Sequence, residues 1–135
     1  MSNRTAAVNQ ETWNDIVKFY YEDEFFFGKH WQSLAPLRHL VKKIAASERA
    51  KKFRAGQSMF TLCISTTPYH GLKEKDPFVC VDVLRSIKDE APGFEIAYWS
   101  DLQCATEKHV CSEENALEVL DQVLDKLWRA TEAST

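Results

Sequence analysis

Residues 57–66 read Gln-Ser-Met-Phe-Thr-Leu-Cys-Ile-Ser-Thr, and the hydrophobic period of the chain changes at this stretch. Phe60, Leu62 and Ile64 alternate with smaller or polar residues, so their side chains fall on one face of an extended segment. Residues 57–66 are therefore predicted to form a half-buried strand. Upstream of this stretch the apolar residues have helical spacing, and downstream the alternation continues.

Three more strands are predicted after the first. Apolar residues recur at every second position over 78–84 and 94–99, and a weaker fourth strand is predicted over 104–111. Residues 67–76 have the composition of a long hairpin loop, and residues 91–93 form a turn. Short links between successive strands favour an antiparallel meander.

Two amphipathic helices are predicted before the sheet. The first covers residues 11–22, after a loose tail at 1–8 and an N-cap at Asn9. The second begins near Ser33, is basic towards its end, and stops at Gly56, which can adopt the left-handed conformation of a helix C-terminus.

A last amphipathic helix is predicted after a cap at Ser112. The order α-α-β-β-β-β-α defines an α+β fold, with three helices packed on one face of a four-stranded antiparallel sheet. The chain has 135 residues, of which 44% are hydrophobic and 27% are charged, and these values suit a single domain over 1–135.

The charge is divided unevenly along the chain. Residues 1–54 carry ten basic and six acidic side chains, whereas residues 55–135 carry seven basic and fourteen acidic ones.

No apolar run reaches the length of a membrane span and no secretory signal precedes the domain, so we expect a cytoplasmic protein with no membrane partner. Four cysteines are too few for a disulfide framework.

The candidate catalytic and metal-binding residues do not form a known motif. The four Cys and four His show none of the paired spacings of zinc sites, and no glycine-rich phosphate loop is present. Cys111 is the best candidate nucleophile because His109 is near, although Glu113 and Glu114 oppose formation of its thiolate. We therefore predict no metal and no cofactor, and we favour a protein without catalytic activity.

Aromatic residues are crowded near the N-terminus, where eight of the sixteen fall between positions 13 and 31. Exposed aromatic clusters are typical of binding surfaces, although these residues could equally pack over the sheet. We predict that the chain docks another protein through segment 19–31 or through its acidic C-terminal half, as an inhibitor or immunity-type protein masking a basic partner would. The predicted partner-binding residues are Tyr21, Phe25, Phe26, Phe27 and Trp31, and the same residues could support a homodimer.

Two other functions stay open. A small-ligand or enzymatic domain would use a polar pocket, whose predicted residues are Arg54, Tyr69, His70 and His109. A nucleic-acid-binding protein would use the basic helix at 38–54, but the isoelectric point of about 5.8 argues against this. The basic helix could instead lie beside the acidic last helix and be neutralised by it.

Overall fold

The computed structural model of the chain describes residues 3–22, 35–58, 61–66, 76–84, 93–101 and 104–133. Its elements are, in chain order, α1 (Asn3–Glu22), α2 (Ala35–Ala45), α3 (Arg49–Lys52), β1 (Arg54–Ser58), β2 (Thr61–Ser65), β3 (Phe78–Leu84), β4 (Gly93–Asp101), β5 (Cys104–Ser112) and α4 (Ala116–Ala133). None of the described helices is long and apolar enough to cross a membrane.

The strands form one antiparallel sheet with the order β1-β2-β3-β4-β5, and this confirms the α+β class. The prediction of four strands was wrong, because the stretch predicted to end the second helix forms an additional strand. Gly56 lies in β1 directly opposite Cys63 and does not cap a helix. The residues of β1 are small or polar and have little intrinsic preference for a strand, but ladder hydrogen bonds to β2 hold them in one.

The strand alternation determines where the core lies. Leu62 pairs with Val81, and Val81 pairs in turn with Ile96, so one sheet face is continuously apolar across three strands. These three side chains are fully buried and belong to the same cluster as the apolar stripes of α1, α2 and α4. Phe78 and Ala97 are also buried but lie on the other face, outside that cluster.

Helix α1 is docked by hydrogen bonds from four nearly consecutive side chains. Three of them satisfy carbonyl groups at the ends of α2 and α3, which lack partners within their own helices. The bonds join Trp13 Nε1 to the Phe53 carbonyl (2.9 Å), Asn9 Nδ2 to the Lys51 carbonyl (2.9 Å), Gln10 Nε2 to the Ala45 carbonyl (2.8 Å) and the Ala55 N–H to Thr12 Oγ1 (3.0 Å). Helix α1 is therefore held against both the other N-terminal helices and the first strand.

The first helix begins earlier than predicted, at Asn3, so the prediction of a loose tail at 1–8 was wrong for the residues described. Asn9 does not cap this helix, because it lies inside it and is 7% exposed. Its side-chain amide instead donates to the Lys51 carbonyl. Local helix signals cannot predict this bond, because Lys51 is distant in sequence.

The other helix limits also differ from the prediction. The second helix stops at Ala45, where both the N–H and the hydroxyl of Ser47 turn back to the Ile44 carbonyl, at 2.9 and 2.7 Å. Such local bonds compete with continuation of the helix. The last helix begins at Ala116 because a turn precedes it, in which the Asn115 N–H donates to the Ser112 carbonyl.

Replacing Trp13 by Phe tests the docking of α1. The variant keeps a buried ring but leaves the Phe53 carbonyl without its donor, and we expect a loss of about 1–3 kcal/mol in the free energy of unfolding. Urea denaturation followed by circular dichroism measures this loss as a lower midpoint at unchanged slope.

The matched control is Trp128→Phe, because Trp128 is half-buried and its indole N–H has no acceptor among the residues described. Its loss should be clearly smaller than that of Trp13→Phe. Equal losses for the two variants would show that the hydrogen bond adds nothing.

Candidate functional site

The two edges of the sheet differ in how they are covered. On the edge strand β1, the Ala55 N–H donates to Thr12 Oγ1 of α1, so this edge is occupied by a helix. Strand β5 forms the other edge and pairs with β4 on one side, and no described strand pairs with its outer side. An uncovered edge presents unpaired backbone N–H and C=O groups, which another strand can bind.

Val110 is the most exposed large hydrophobic residue of β5 and of the described chain, at 73% exposure. It lies opposite Glu95 and on the sheet face away from the helices, whereas His109 and Cys111 pair with the buried residues Ile96 and Phe94. Strand β5 therefore combines an outer side that no described strand covers with an exposed apolar side chain. We call the outer side of β5, with Val110, the β5 edge.

Gly93 allows β5 to lie close to β4 at the end of the ladder. It pairs with Ser112, and a Cβ atom added at Gly93 would meet the Cys111 carbonyl oxygen at 2.6 Å. A side chain there would have to displace backbone, so glycine is needed for this approach. The position of the β5 edge thus depends on a residue that the sequence marked only as part of a turn.

Exposed acidic residues adjoin the β5 edge. Residues 104–133 carry seven acidic and three basic side chains. Glu113 and Glu114 follow directly after the strand and are exposed, and Glu118 continues the series on the outer face of α4. The C-terminal part of the described chain therefore has an acidic surface next to an apolar one.

Part of that acidity is neutralised by the basic helices. The Arg49 guanidinium makes two hydrogen bonds to the Asp121 carboxylate, with Nη2 at 2.6 Å from Oδ2, and these bonds raise the pKa of Arg49. His39 Nδ1 lies 3.7 Å from Glu113 Oε1. These two contacts agree with the expectation that the basic helix could lie beside the acidic last helix.

Other cations of the basic helices face aromatic rings. The Arg38 guanidinium lies 4.1 Å from the centre of the Tyr21 ring, and Lys42 Nζ lies 5.5 Å from the same centre. Lys52 Nζ lies 5.3 Å from the Trp128 ring. These contacts are cation–π interactions within the chain, so the cations are not arranged as a free stripe for phosphates.

Among the predicted partner-binding residues, only Tyr21 is described. It is half-buried at the end of α1, under the two cations from α2. Its neighbours Phe19 and Tyr20 pack in or against the core. Phe25, Phe26, Phe27 and Trp31 lie outside the described residues.

The residues of the predicted polar pocket are not brought together where they are described. Arg54 is on β1 and His109 on β5, so they lie at opposite edges of the five-stranded sheet and, from the strand register, on opposite faces. Four strand spacings separate them by about 19 Å. Tyr69 and His70 lie outside the described residues.

His109 belongs to a small ion-pair network beside α4. Its Nε2 lies 2.8 Å from Glu107 Oε1, and Lys126 Nζ donates to Glu107 Oε2 at 2.6 Å. The bonds from Lys126 and His109 lower the pKa of the Glu107 carboxyl. This network ties β5 to α4 and so holds the β5 edge in place.

Cys111 does not have the surroundings of a nucleophile. Its Sγ contacts the Phe94 carbonyl oxygen at 3.8 Å, and burial raises its pKa. Asp82 and Glu95 face each other across β3 and β4, and Thr61 Oγ1 donates to the Asp82 carboxylate. No group of three or more His, Cys, Asp or Glu in the described ranges is arranged to hold a metal ion.

No protein-family model, curated protein or solved structure matches this chain at a significant level.

A double-mutant cycle on Arg49→Gln and Asp121→Asn measures the link between the basic and acidic helices. Because the Asp121 side chain is exposed and that of Arg49 is partly exposed, we expect a coupling energy of about 0.5–1 kcal/mol at low ionic strength. It should shrink towards zero at about 1 M NaCl, where the screening length is about 3 Å. A coupling that is absent at low salt, or unchanged by salt, would contradict the pair.

The Glu107 network predicts a pH-dependent effect of Glu107→Gln. A carboxyl whose pKa is lowered by folding stabilises the protein above its ordinary pKa, and this contribution is lost as the pH falls through the lowered pKa. The variant should therefore be less stable than the wild type at neutral pH, and the two should converge in acid.

Thermal unfolding at several pH values measures the difference. The control is Glu114→Gln, which removes an exposed carboxylate with no ion pair in the described part of the chain. A destabilisation by Glu107→Gln that persists in acid would show that packing, and not the charge, is responsible.

Proposed function

We propose that this protein is a non-catalytic binding protein that docks another protein through the β5 edge. The observation that carries the proposal is Val110, which is 73% exposed on an edge strand whose outer side pairs with no described strand. Extended segments add to such edges through backbone hydrogen bonds, and alternate side chains provide specificity. Val110 and Lys108 point to the same side of β5 and would contact alternate residues of the incoming strand.

The chemistry around the β5 edge favours a basic partner. Glu95 lies beside Val110, and Glu113 and Glu114 extend from the end of the strand. Complementary charge around an interface speeds association and fixes its orientation more than it adds affinity. The proposed partner is therefore a protein with an extended segment rich in Lys or Arg, as expected if this chain masks a basic surface in the manner of an inhibitor or immunity-type protein.

The alternatives have less support from the described residues. A pocket that uses both Arg54 and His109 would have to span the whole sheet. A phosphate-binding stripe would need the cations that already contact Tyr21, Asp121 and Trp128. The β5 edge needs no such rearrangement.

The test compares tagged wild-type protein with Val110→Lys in quantitative capture from an extract of the native host. Val110→Lys places a second positive charge beside Lys108, which discourages strand addition and repels a basic segment. A partner of the β5 edge should therefore be depleted at least about tenfold, which corresponds to about 1.4 kcal/mol of binding free energy. The matched control is Val8→Lys, because Val8 is the other exposed large hydrophobic residue in the described part of the chain, at 40%, and lies on α1.

Purified captured protein is then added to the wild type, and hydrogen exchange of the backbone amides is measured. Slower exchange at the amides of residues 104–112, with retention by Val8→Lys, supports the proposal. Equal capture by both variants, or unchanged exchange in β5, contradicts it. Self-association that Val110→Lys abolishes would identify a second copy as the occupant and would also overturn the proposal of a different partner protein.

A further inference from the structure

Two cysteines lie directly opposite each other in the middle of the sheet. Cys63 of β2 pairs with Cys80 of β3, and their Sγ atoms are 3.9 Å apart. Both residues are half-buried on the sheet face away from the apolar core, because they alternate with the buried residues Leu62 and Val79. The sequence placed a cysteine in each of these strands, and the register brings the two together.

The register and the contact between the sulfurs bring this pair close to the geometry of a disulfide. Directly opposite residues of an antiparallel pair have Cβ atoms about 4.5–5.5 Å apart, and a disulfide requires about 3.5–4.5 Å. The sulfurs already touch, so a side-chain rotation and a small approach of the two strands would close the bond. No change of register or of helix packing is required.

The two thiols are not equivalent. The contact between the two thiols lowers the pKa of Cys63 and raises that of Cys80, while burial acts to raise both. Asp82 is close enough to oppose negative charge on either sulfur. We take Cys63 as the first thiol to attack and Cys80 as the resolving thiol, and the single variants below test this order. Cys111, whose sulfur contacts the Phe94 carbonyl on the opposite side of the sheet, is not part of this pair.

We propose that Cys63 and Cys80 form a dithiol site that small-molecule disulfides such as oxidised glutathione convert reversibly into a cross-strand disulfide. The Cys63 thiolate attacks one sulfur of the small disulfide, whose S–S bond breaks and releases one thiolate, which takes up a proton. Cys80 then loses its proton and attacks Cys63 Sγ in the mixed disulfide, and the second small thiol leaves. The two cysteine sulfurs lose two electrons in total, and one small disulfide is reduced to two thiols.

The experiment uses the full chain and a Cys104→Ser/Cys111→Ser variant that retains only the proposed pair. Each protein is equilibrated with mixtures of oxidised and reduced glutathione, free thiols are blocked with an alkylating reagent, and intact masses and linked peptides are determined. We expect a species that has lost two hydrogen atoms and two alkylation sites, with a peptide that joins Cys63 to Cys80. Dithiothreitol should restore both thiols.

Single variants test the order of the two steps. Cys80→Ser should stop at a glutathione adduct on Cys63, and Cys63→Ser should react at Cys80 at least about tenfold more slowly, since the thiolate is the nucleophile. Wild-type protein that keeps both thiols free, that accumulates a stable glutathione adduct, or that links other cysteines instead would overturn the proposal. The peptide map of the wild type tests for the Cys63–Cys80 disulfide even if a single variant does not fold.

Discussion

The helical layer of this protein depends on how α1 lies across the junction between α3 and β1. Trp13 is fully buried, and its indole donates to the Phe53 carbonyl at the point where helix changes to strand. Asn9 donates to the Lys51 carbonyl and Thr12 accepts from the Ala55 N–H on either side of this junction, and Gln10 donates to the carbonyl at the end of α2. Because a buried carbonyl without a donor is costly, these side chains fix both the angle of α1 and the start of the sheet. The strands after β1 are then added by antiparallel pairing, and α4 packs on the same apolar core.

Most of the sheet could be predicted from alternation, because a strand with one buried face repeats its apolar residues at every second position. Alternation could not fix the strand register, which places Asp82 opposite Glu95 and Cys63 opposite Cys80. Strand β1 was missed since Arg54-Ala55-Gly56 carries no apolar repeat, and only the pairing with β2 makes it a strand. The start of α1 was missed for a related reason: Asn9 resembles a local cap, whereas its amide bonds to Lys51, which is distant in sequence.

The candidate site was less predictable than the fold. The chemical types of Arg54 and His109 suggest a shared polar pocket. The distance between them, however, depends on strand order and on which face of the sheet each side chain occupies. A meander of five strands places the first and last strands at opposite edges, so residues on them cannot converge in one pocket. The exposure of Val110 had no signal in the sequence either, because a valine in a strand reads as a core residue until the edge of the sheet is known.

The structure brings part of the basic half of the chain into contact with part of its acidic half. The basic residues of α2 and α3 contact acids of the α4 region and aromatic rings, as Arg49 does with Asp121 and Arg38 with Tyr21. Opposite charges of the two halves therefore partly cancel within the fold, and Glu114 and Glu118 are exposed beyond these contacts. The Cys63–Cys80 pair lies on β2 and β3, which β4 separates from β5. Strand addition at β5 would use only the outer side of that strand, so the proposed docking and the proposed thiol oxidation would involve different strands of one sheet.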